Sequence, residues 1–344
     1  ISGPLGTMYA LYEGVIERLC SVKSGDKLIK PKIIASTATI RGASDQVMAL
    51  YARTETQLFP NPGLSMGDSF FGKYARDKFG KLSKGRLYLG IHASDYGSVL
   101  TTQVRAFSSA LFRPWLFNEN RRDAWWTLLA FYNSIRELGG AKTLFDSDIR
   151  SRLKFVFNRE GIPPVDRRSL RIVEELTSRL SQAEIVTMMD RLSAAYQPGS
   201  SSSSIDACLA SNIIEVGVDI DRLSLMGIVG QPKTTATYIQ VSGRVGRKWW
   251  ERPGLILMMY NPSKSRDRSH FEQFHSYHRR LYERVEPTSV TPFAPSAIQR
   301  GASGVLLAWA RQISNETVRS PAAYANAIDI AHGLLRERCL AVQI

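Results

Sequence analysis

Residues 223–260 read LSLMGIVGQPKTTATYIQVSGRVGRKWWERPGLILMMY, and this stretch decides the fold. An apolar run at 223–230 ends at Gly230-Gln231-Pro232. A helical pattern follows over about 234–246, and a second apolar run, GLILMMY, fills 254–260. Two near-continuous apolar strands joined by a helix pair in parallel, buried on both faces. Working outward, DACLAS (206–211), LKFVFN (153–158) and RLYLGI (86–91) read as further strands. TLLAFYNSIRELGGA (127–141) reads as a strand, a cap at Asn133 or Ser134, a helix, and a stop at Gly139-Gly140. The alternation predicts an α/β fold built on a parallel sheet.

Other segments are helical or irregular. Tyr9, Tyr12, Val15, Ile16 and Leu19 give residues 8–21 one buried helical face. In KIIASTATIRG (32–42), Ile33 and Ile34 read as a short buried strand and 36–39 as the turn after it. Helical patterns run from the 86–91 strand to about 118, and residues 169–196 read as helix divided at Ser181. Residues 60–85, rich in Gly, Pro, Lys and Asp, read as a surface linker or insertion, and QPGSSSSS (197–204) as a flexible loop. Beyond 262 the chain turns charged and aromatic, then mostly helical.

Composition narrows the function. The 344 residues are 44% hydrophobic and 22% charged, enough to build a core and suggesting two domains. A net charge of +14 favours an anionic partner: nucleic acid, a membrane surface or a phosphate-rich ligand. The longest apolar run, WWTLLAFY at 125–132, is far shorter than a membrane-spanning helix. Cys20, Cys208 and Cys339 have no metal-knuckle spacing and read as reduced thiols. With no secretory leader at the start of this sequence, a cytoplasmic location is expected.

By itself G-R-x-G-R is a weak signal, equally a basic turn. Its context is more specific: S-x5-G-x-D from Ser211 through Gly217 and Asp219, then about 20 residues to Q-x-x-G-R-x-G-R from Gln240. At this point the sequence resembles the superfamily 2 helicases of DExH type. STAT (36–39) is similar to their third motif, LLAFYNSIREL (128–138) to the fourth, ASNIIEVGVDI (210–220) to the fifth and QVSGRVGR (240–247) to the sixth, in the family's order. Five strings more closely resemble the large helicase of the DISARM phage-defence system: ISGPLGT at 1–7, ELTSR at 175–179, YIQVSGRVGR at 238–247, RDRSHFEQFHSYH at 266–278 and VEPTSVTPF at 285–293.

The resemblance implies RecA-like lobes that close over ATP. It makes residues 1–59 the end of a first lobe, 60–85 a linker or insertion, 86–262 the second lobe and 263–344 a mainly helical extension. Arg247 would be the arginine finger, Arg244 a second phosphate contact, and Gln240 the residue that orients their helix. Gly243 and Gly246 would let the backbone approach the nucleotide, Asp219 would lie near its ribose and Gly217 near the nucleic-acid backbone. Ser211 would touch a DNA phosphate, joined on the track by Lys233, Thr234, Arg266 and Arg268. Ser36 and Thr37 would couple hydrolysis to lobe movement. Plainer readings stand beside these: a Ser/Thr turn at 36–37, a cap at Asp219, a solvated turn at 233–234. His270, His275 and His278 could bind a metal, but a packed helix with a phosphate-contacting face is the stronger reading. Phe271, Phe274 and Tyr277 read as a core stripe ahead of a base-stacking platform, and Trp249-Trp250 as lobe packing or a partner contact.

Ligands of α/β sheets gather at the carboxyl ends of strands, so STAT, the fifth motif and QVSGRVGR are all expected there. The departure from the family is the lack of both G-x-x-x-x-G-K-[ST] and D-E-x-H; LGGAKTLF (138–145) has no phosphate-loop spacing. The lysine for ATP and the carboxylates for Mg²⁺ are therefore expected outside this sequence, in a longer protein. The expected partners are DNA, single-stranded or with a single-stranded end, and a defence-system protein, with no membrane. A basic scaffold with a degenerate lobe and an RNA helicase remain alternatives, because such motifs face the nucleic-acid backbone rather than its bases.

Overall fold

The computed structural model describes residues 3–37, 41–60, 70–94, 98–198, 204–211, 219–287, 289–313 and 325–342. The chain begins with α1 (Gly3–Leu19), a small antiparallel hairpin of β1 (Val22–Ser24) and β2 (Lys27–Ile29), and α2 (Ala43–Tyr51). Ile33 and Ile34 form no strand: no described strand offers them a ladder, and Ile34 is 87% exposed. The described parts of 70–85 are mostly exposed, with one bridge between Arg76 and Leu82.

Next comes the sheet lobe, residues 74–284, one of two compact units. Its elements are β3 (Arg86–His92), α3 (Val99–Phe112), α4 (Glu119–Trp126), β4 (Leu128–Tyr132), α5 (Ile135–Asp146), α6 (Asp148–Arg159), β5 (Val173–Leu176), α7 (Gln182–Ser193), β6 (Ala207–Ala210), β7 (Leu225–Val229), α8 (Thr235–Ser242), β8 (Gly254–Tyr260), α9 (Ser265–Glu272) and α10 (Phe274–Arg279). The six strands β3 to β8 run parallel in the order β3-β8-β7-β4-β6-β5. Apolar side chains leave the central strands on both faces. Leu129, Phe131, Met226 and Ile228 meet α7 and α8, while Leu128, Ala130, Leu209 and Leu225 meet α3 and α5. Alternate residues pointing to opposite faces is the period-2 rule of a strand, here with both faces covered. Gly227 has no side chain because the Phe107 ring occupies that space.

Three local expectations are corrected here. LKFVFN belongs to helix α6: Ile149, Leu153, Val156 and Phe157 recur at helical spacing and are buried, while Phe155 is 52% exposed. Gly139 and Gly140 lie inside α5, which runs on because buried Leu138, Ala141 and Phe145 tie it to the sheet. Residues 173–176 are β5, not helix; Ser181 instead starts α7 with a reciprocal capping box to Glu184. The expected loop at 197–204 falls mostly outside the described residues.

The second unit joins residues 1–73 to 285–344 and contains α11 (Pro295–Ile313) and α12 (Ala325–Val342). Leu11 and Val15 of α1 pack with Val305 and Trp309 of α11 and Ala331 of α12. Glu17 holds Arg53 at 2.8 Å and Lys30 at 2.9 Å; Arg338 of α12 lies 3.8 Å from it and donates to the Leu50 carbonyl. Ser36 and Thr37 are exposed irregular chain in this unit, while the rest of STAT lies outside the described residues. Among the described residues, no helix is long and apolar enough to cross a membrane.

Candidate functional site

Helix α8 positions the two arginines. It begins at the carboxyl edge of the sheet, where the Thr234 side chain caps it by accepting from the Thr237 N–H. Tyr238, Val241 and Ser242 are buried, so the helix is pinned along one side. It ends at Gly243, and the chain then turns at the opposite, amino edge. There the Gly246 N–H donates to the Leu223 carbonyl at 2.8 Å, just before β7. Gly246 has φ of +62°, and a Cβ on it would meet the backbone of Gly254, the first residue of β8, at 2.6 Å. Val245 is fully buried, whereas Arg244 and Arg247 remain partly exposed. QVSGRVGR therefore does not lie at the carboxyl ends: a helix leaving a strand's carboxyl end carries the chain back to the amino edge. Gly243 has an ordinary helical φ of −66°, so of the two glycines only Gly246 needs its left-handed conformation.

The fifth-motif segment returns to the same amino edge. Asp219 Oδ1 lies 2.6 Å from Arg247 Nη1, and Asp221 Oδ1 is 3.9 Å from Arg247 Nε. Asp219 thus acts as an ion-pair partner. Burial lowers the pKa of the Arg244 guanidinium, nearby Arg247 lowers it further, and Asp219 opposes both. Two partly buried guanidiniums side by side, one of them ion-paired to an exposed carboxylate, form a site where an anionic oxygen can replace that carboxylate. Gln240 is half-buried on α8, and Gly217 lies outside the described residues.

Other arginines at this edge are structural. Arg168 is buried, donates to the Leu111 and Trp126 carbonyls, pairs with Asp206 at 3.1 Å and stacks on Trp126. Arg222 donates to the Leu192 carbonyl and Thr127 Oγ1 and pairs with Asp123. Arg252 reaches Ser224 Oγ and the Arg222 carbonyl, holding the loop that carries Asp221 and Arg222. Trp249 and Trp250 meet edge to face, and Trp250 is 66% exposed.

The carboxyl edge carries the other expected residues. Ser211 follows β6, is buried and donates its N–H to the Leu176 carbonyl. Asn133, after β4, donates from its amide to the carbonyls of Val229 and Gly230. Lys233 and Thr234 are exposed after β7. Asp267 of α9, 2% exposed, accepts from the Gln231 N–H at 3.0 Å and the Asn261 N–H at 2.8 Å. It clamps α9 to the ends of β7 and β8, leaving its neighbours Arg266 and Arg268 exposed. Sequence reading missed Asp267 inside a basic run; an acid flanked by arginines was its only signal.

His270 and His278 are engaged in local bonds, and His275 is exposed. His278 touches the Tyr238 hydroxyl at 2.7 Å and the Phe274 carbonyl at 2.7 Å, and His270 meets the Arg266 carbonyl. Among the described residues no cluster of His, Cys, Asp and Glu is arranged to hold a metal. Tyr277 is buried in the core, with Phe271 and Phe274 packed against it, as the core-stripe reading expects.

Comparison with known proteins follows this geometry. Residues 132–248 match the helicase conserved C-terminal domain. Over 317 residues the chain is 40% identical to DISARM protein DrmA of Bacillus paralicheniformis, covering 90% of this chain and 27% of that protein. The chain thus spans about a quarter of the length of the curated relative it matches. Among solved structures, helicase MrfA bound to DNA and AMPPNP is similar with a TM-score of 0.55 and 15% identity, over 89% of this chain and 35% of that one. MrfA bound to DNA gives a TM-score of 0.51 and 16% identity, over 89% and 33%. These two likenesses show the fold.

Proposed function

We propose, from a chain whose residues 132–248 form a conserved helicase C-terminal domain within a RecA-like superfamily 2 lobe, that it is the C-terminal part of an ATP-dependent DNA translocase of phage defence. The observation that carries this reading is the turn at 243–247, which presents Arg244 and Arg247 together beside Asp219. Phosphoryl transfer is catalysed mainly by positioning and by neutralising charge on the transferring group. ATP supplies that group, and a guanidinium able to leave its carboxylate for a phosphate oxygen, with a second guanidinium beside it, fits it. Arg247 exchanges Asp219 for a phosphate oxygen, and Asp219 is then free to accept from the ribose. Gln240 orients α8, and Gly246 holds the turn against β8. On this reading the Mg²⁺ ligands come from another part of the full protein, because the D-E-x-H signature is lacking in this sequence.

DNA is held at the carboxyl edge, where Lys233, Thr234, Arg266 and Arg268 are exposed and Ser211 follows β6, in a chain of net charge +14. Contacts of this kind position the protein on the backbone without reading sequence. The DISARM relative supports a defence setting with a partner protein, and Ser36 and Thr37 serve as the coupling segment.

The test is Arg247→Ala in the full-length protein, with DNA-stimulated ATPase and DNA affinity measured at one stated salt concentration. A fall of about 10³–10⁵ in turnover with DNA affinity retained is expected. Unchanged ATPase refutes the reading and favours a scaffold, and preferential competition by RNA over DNA makes the track an RNA track. The 344-residue chain alone is expected to bind DNA without hydrolysing ATP.

A further inference from the structure

The arginine turn is held from outside by a residue that no motif contains. Arg86, the first residue of β3, donates from Nε to the Val245 carbonyl at 2.8 Å and from Nη2 to the Gly243 carbonyl at 3.1 Å. These carbonyls belong to the peptide planes on either side of the Arg244-Val245 pair. Two residues along the same face of β3, Tyr88 donates its hydroxyl to Ser242 Oγ at 3.2 Å. Strand β3 pairs with β8 along its whole length, from Arg86 opposite Gly254 to His92 opposite Tyr260. Arg86 therefore stands in register with Gly254, the residue against which Gly246 closes.

Its partner choice is informative. Among the described residues, Arg168, Arg222 and Arg252 at this edge each pair with a carboxylate, whereas Arg86 pairs with none. A guanidinium is a rigid planar fork, so two of its donors on two carbonyls fix their relative orientation. A lysine ammonium has three donors but no rigid fork, so it does not fix that relative orientation.

We propose that Arg86 is a positioning residue for the reaction: by clamping the carbonyls of Gly243 and Val245 it sets the direction in which Arg244 and Arg247 leave the turn. This rests on the reading of those arginines as phosphate-facing. Arg86 acts through them and touches no reacting atom.

The test compares Arg86→Ala, Arg86→Lys, Arg247→Ala and the double variant Arg86→Ala/Arg247→Ala in the full-length protein. DNA-stimulated ATPase, affinity for a fluorescent ATP analogue, DNA affinity and thermal unfolding are read for each. Arg86→Ala is expected to lower kcat about ten- to a hundredfold, the scale of a misplaced catalytic group. KM for ATP changes by less than about threefold, and unfolding stays near that of the parent protein. Arg86→Lys keeps the charge and donors without the planar fork and recovers part of kcat. The double variant is slower than Arg247→Ala by much less than the factor that Arg86→Ala costs alone, because only Arg244 is left to position. Multiplicative losses in the double variant, or a kcat loss that tracks a fall in thermal stability, overturn the proposal. So does full activity of Arg86→Ala beside an inactive Arg247→Ala. Full activity of Arg247→Ala overturns the underlying reading, and this inference with it.

Discussion

The two glycines of the arginine turn should respond unequally to the same substitution. Gly246 has φ of +62°, and a Cβ there would lie 2.6 Å from both N and Cα of Gly254. Holding alanine in the left-handed region costs about 1–2 kcal/mol. The overlap is with main chain at the start of β8, so relieving it requires a backbone shift of the kind that costs about 1–3 kcal/mol. The lower entropy of the unfolded alanine chain returns about 0.4–1 kcal/mol. Gly246→Ala should therefore destabilise the lobe by about 3 kcal/mol, within a range of about 1–4.6 kcal/mol. Gly243 has φ of −66°, and its Cβ would meet only the Ile239 and Gln240 carbonyls of its own helix, at 3.0 and 3.4 Å. The tight 3.0 Å contact and the unfolded-state gain nearly cancel, leaving Gly243→Ala within about 1 kcal/mol of the parent. Equilibrium urea unfolding followed by tryptophan fluorescence measures both, and the ATPase of the full-length protein should follow the same order. The reasoning is refuted if the two variants differ by less than about 1 kcal/mol, or if Gly243→Ala is the worse.

Two further outcomes are expected. If α9 lies on DNA phosphates, Arg266→Ala and Arg268→Ala each lower the slope of log affinity against log salt by about 0.9, equally for unrelated sequences; an unchanged slope removes α9 from the track. Burial lowers the pKa of His278, so between that value and the ordinary imidazole value of about 6.5 the unfolded chain binds more protons than the folded one. Stability contributed by neutral His278 is thus present above that window and lost as the pH falls through it. Urea midpoints at about pH 7.5 and 5.5 should show a decline that His278→Gln reduces, and an equal decline in both proteins rejects this contribution.

The parallel sheet was legible because β4, β6, β7 and β8 are buried on both faces, which writes them as unbroken apolar runs. β5 was not, because an edge strand reading VEEL carries two glutamates in the pattern of a surface helix. α6 failed in the opposite way: exposed Phe155, next to buried Val156 and Phe157, lengthened a helical stripe into an apparent strand. At the site, the Gly-Arg repeat announced its chemistry, but its edge of the sheet was misjudged by looking at the strand before α8 instead of where α8 delivers the chain. Asp267 and Arg86 escaped for another reason. They bind main-chain groups, which carry no residue identity, and the carbonyl that Arg86 Nε holds lies 159 residues away.

The placement of α8 bears on how hydrolysis could be tied to movement. Its first turn lies at the carboxyl edge beside Lys233 and Thr234, and its last opens into the arginine turn at the amino edge. Eight residues of helix span about 12 Å, so one short rod joins the proposed DNA-facing and phosphate-facing ends. The rod is not free to bend. Tyr238 and Val241 are fully buried in the sheet core, Tyr238 is bonded to His278, and Ser242 is bonded to Tyr88. A packed interior resists small continuous deformation, so a force on the arginine turn moves α8 with its lobe rather than within it. On the proposed reading, phosphate capture by Arg244 and Arg247 would then displace the carboxyl-edge track as one body. On that reading a segment outside this lobe yields, and Ser36 and Thr37, exposed in the other unit, are the residues proposed for that coupling.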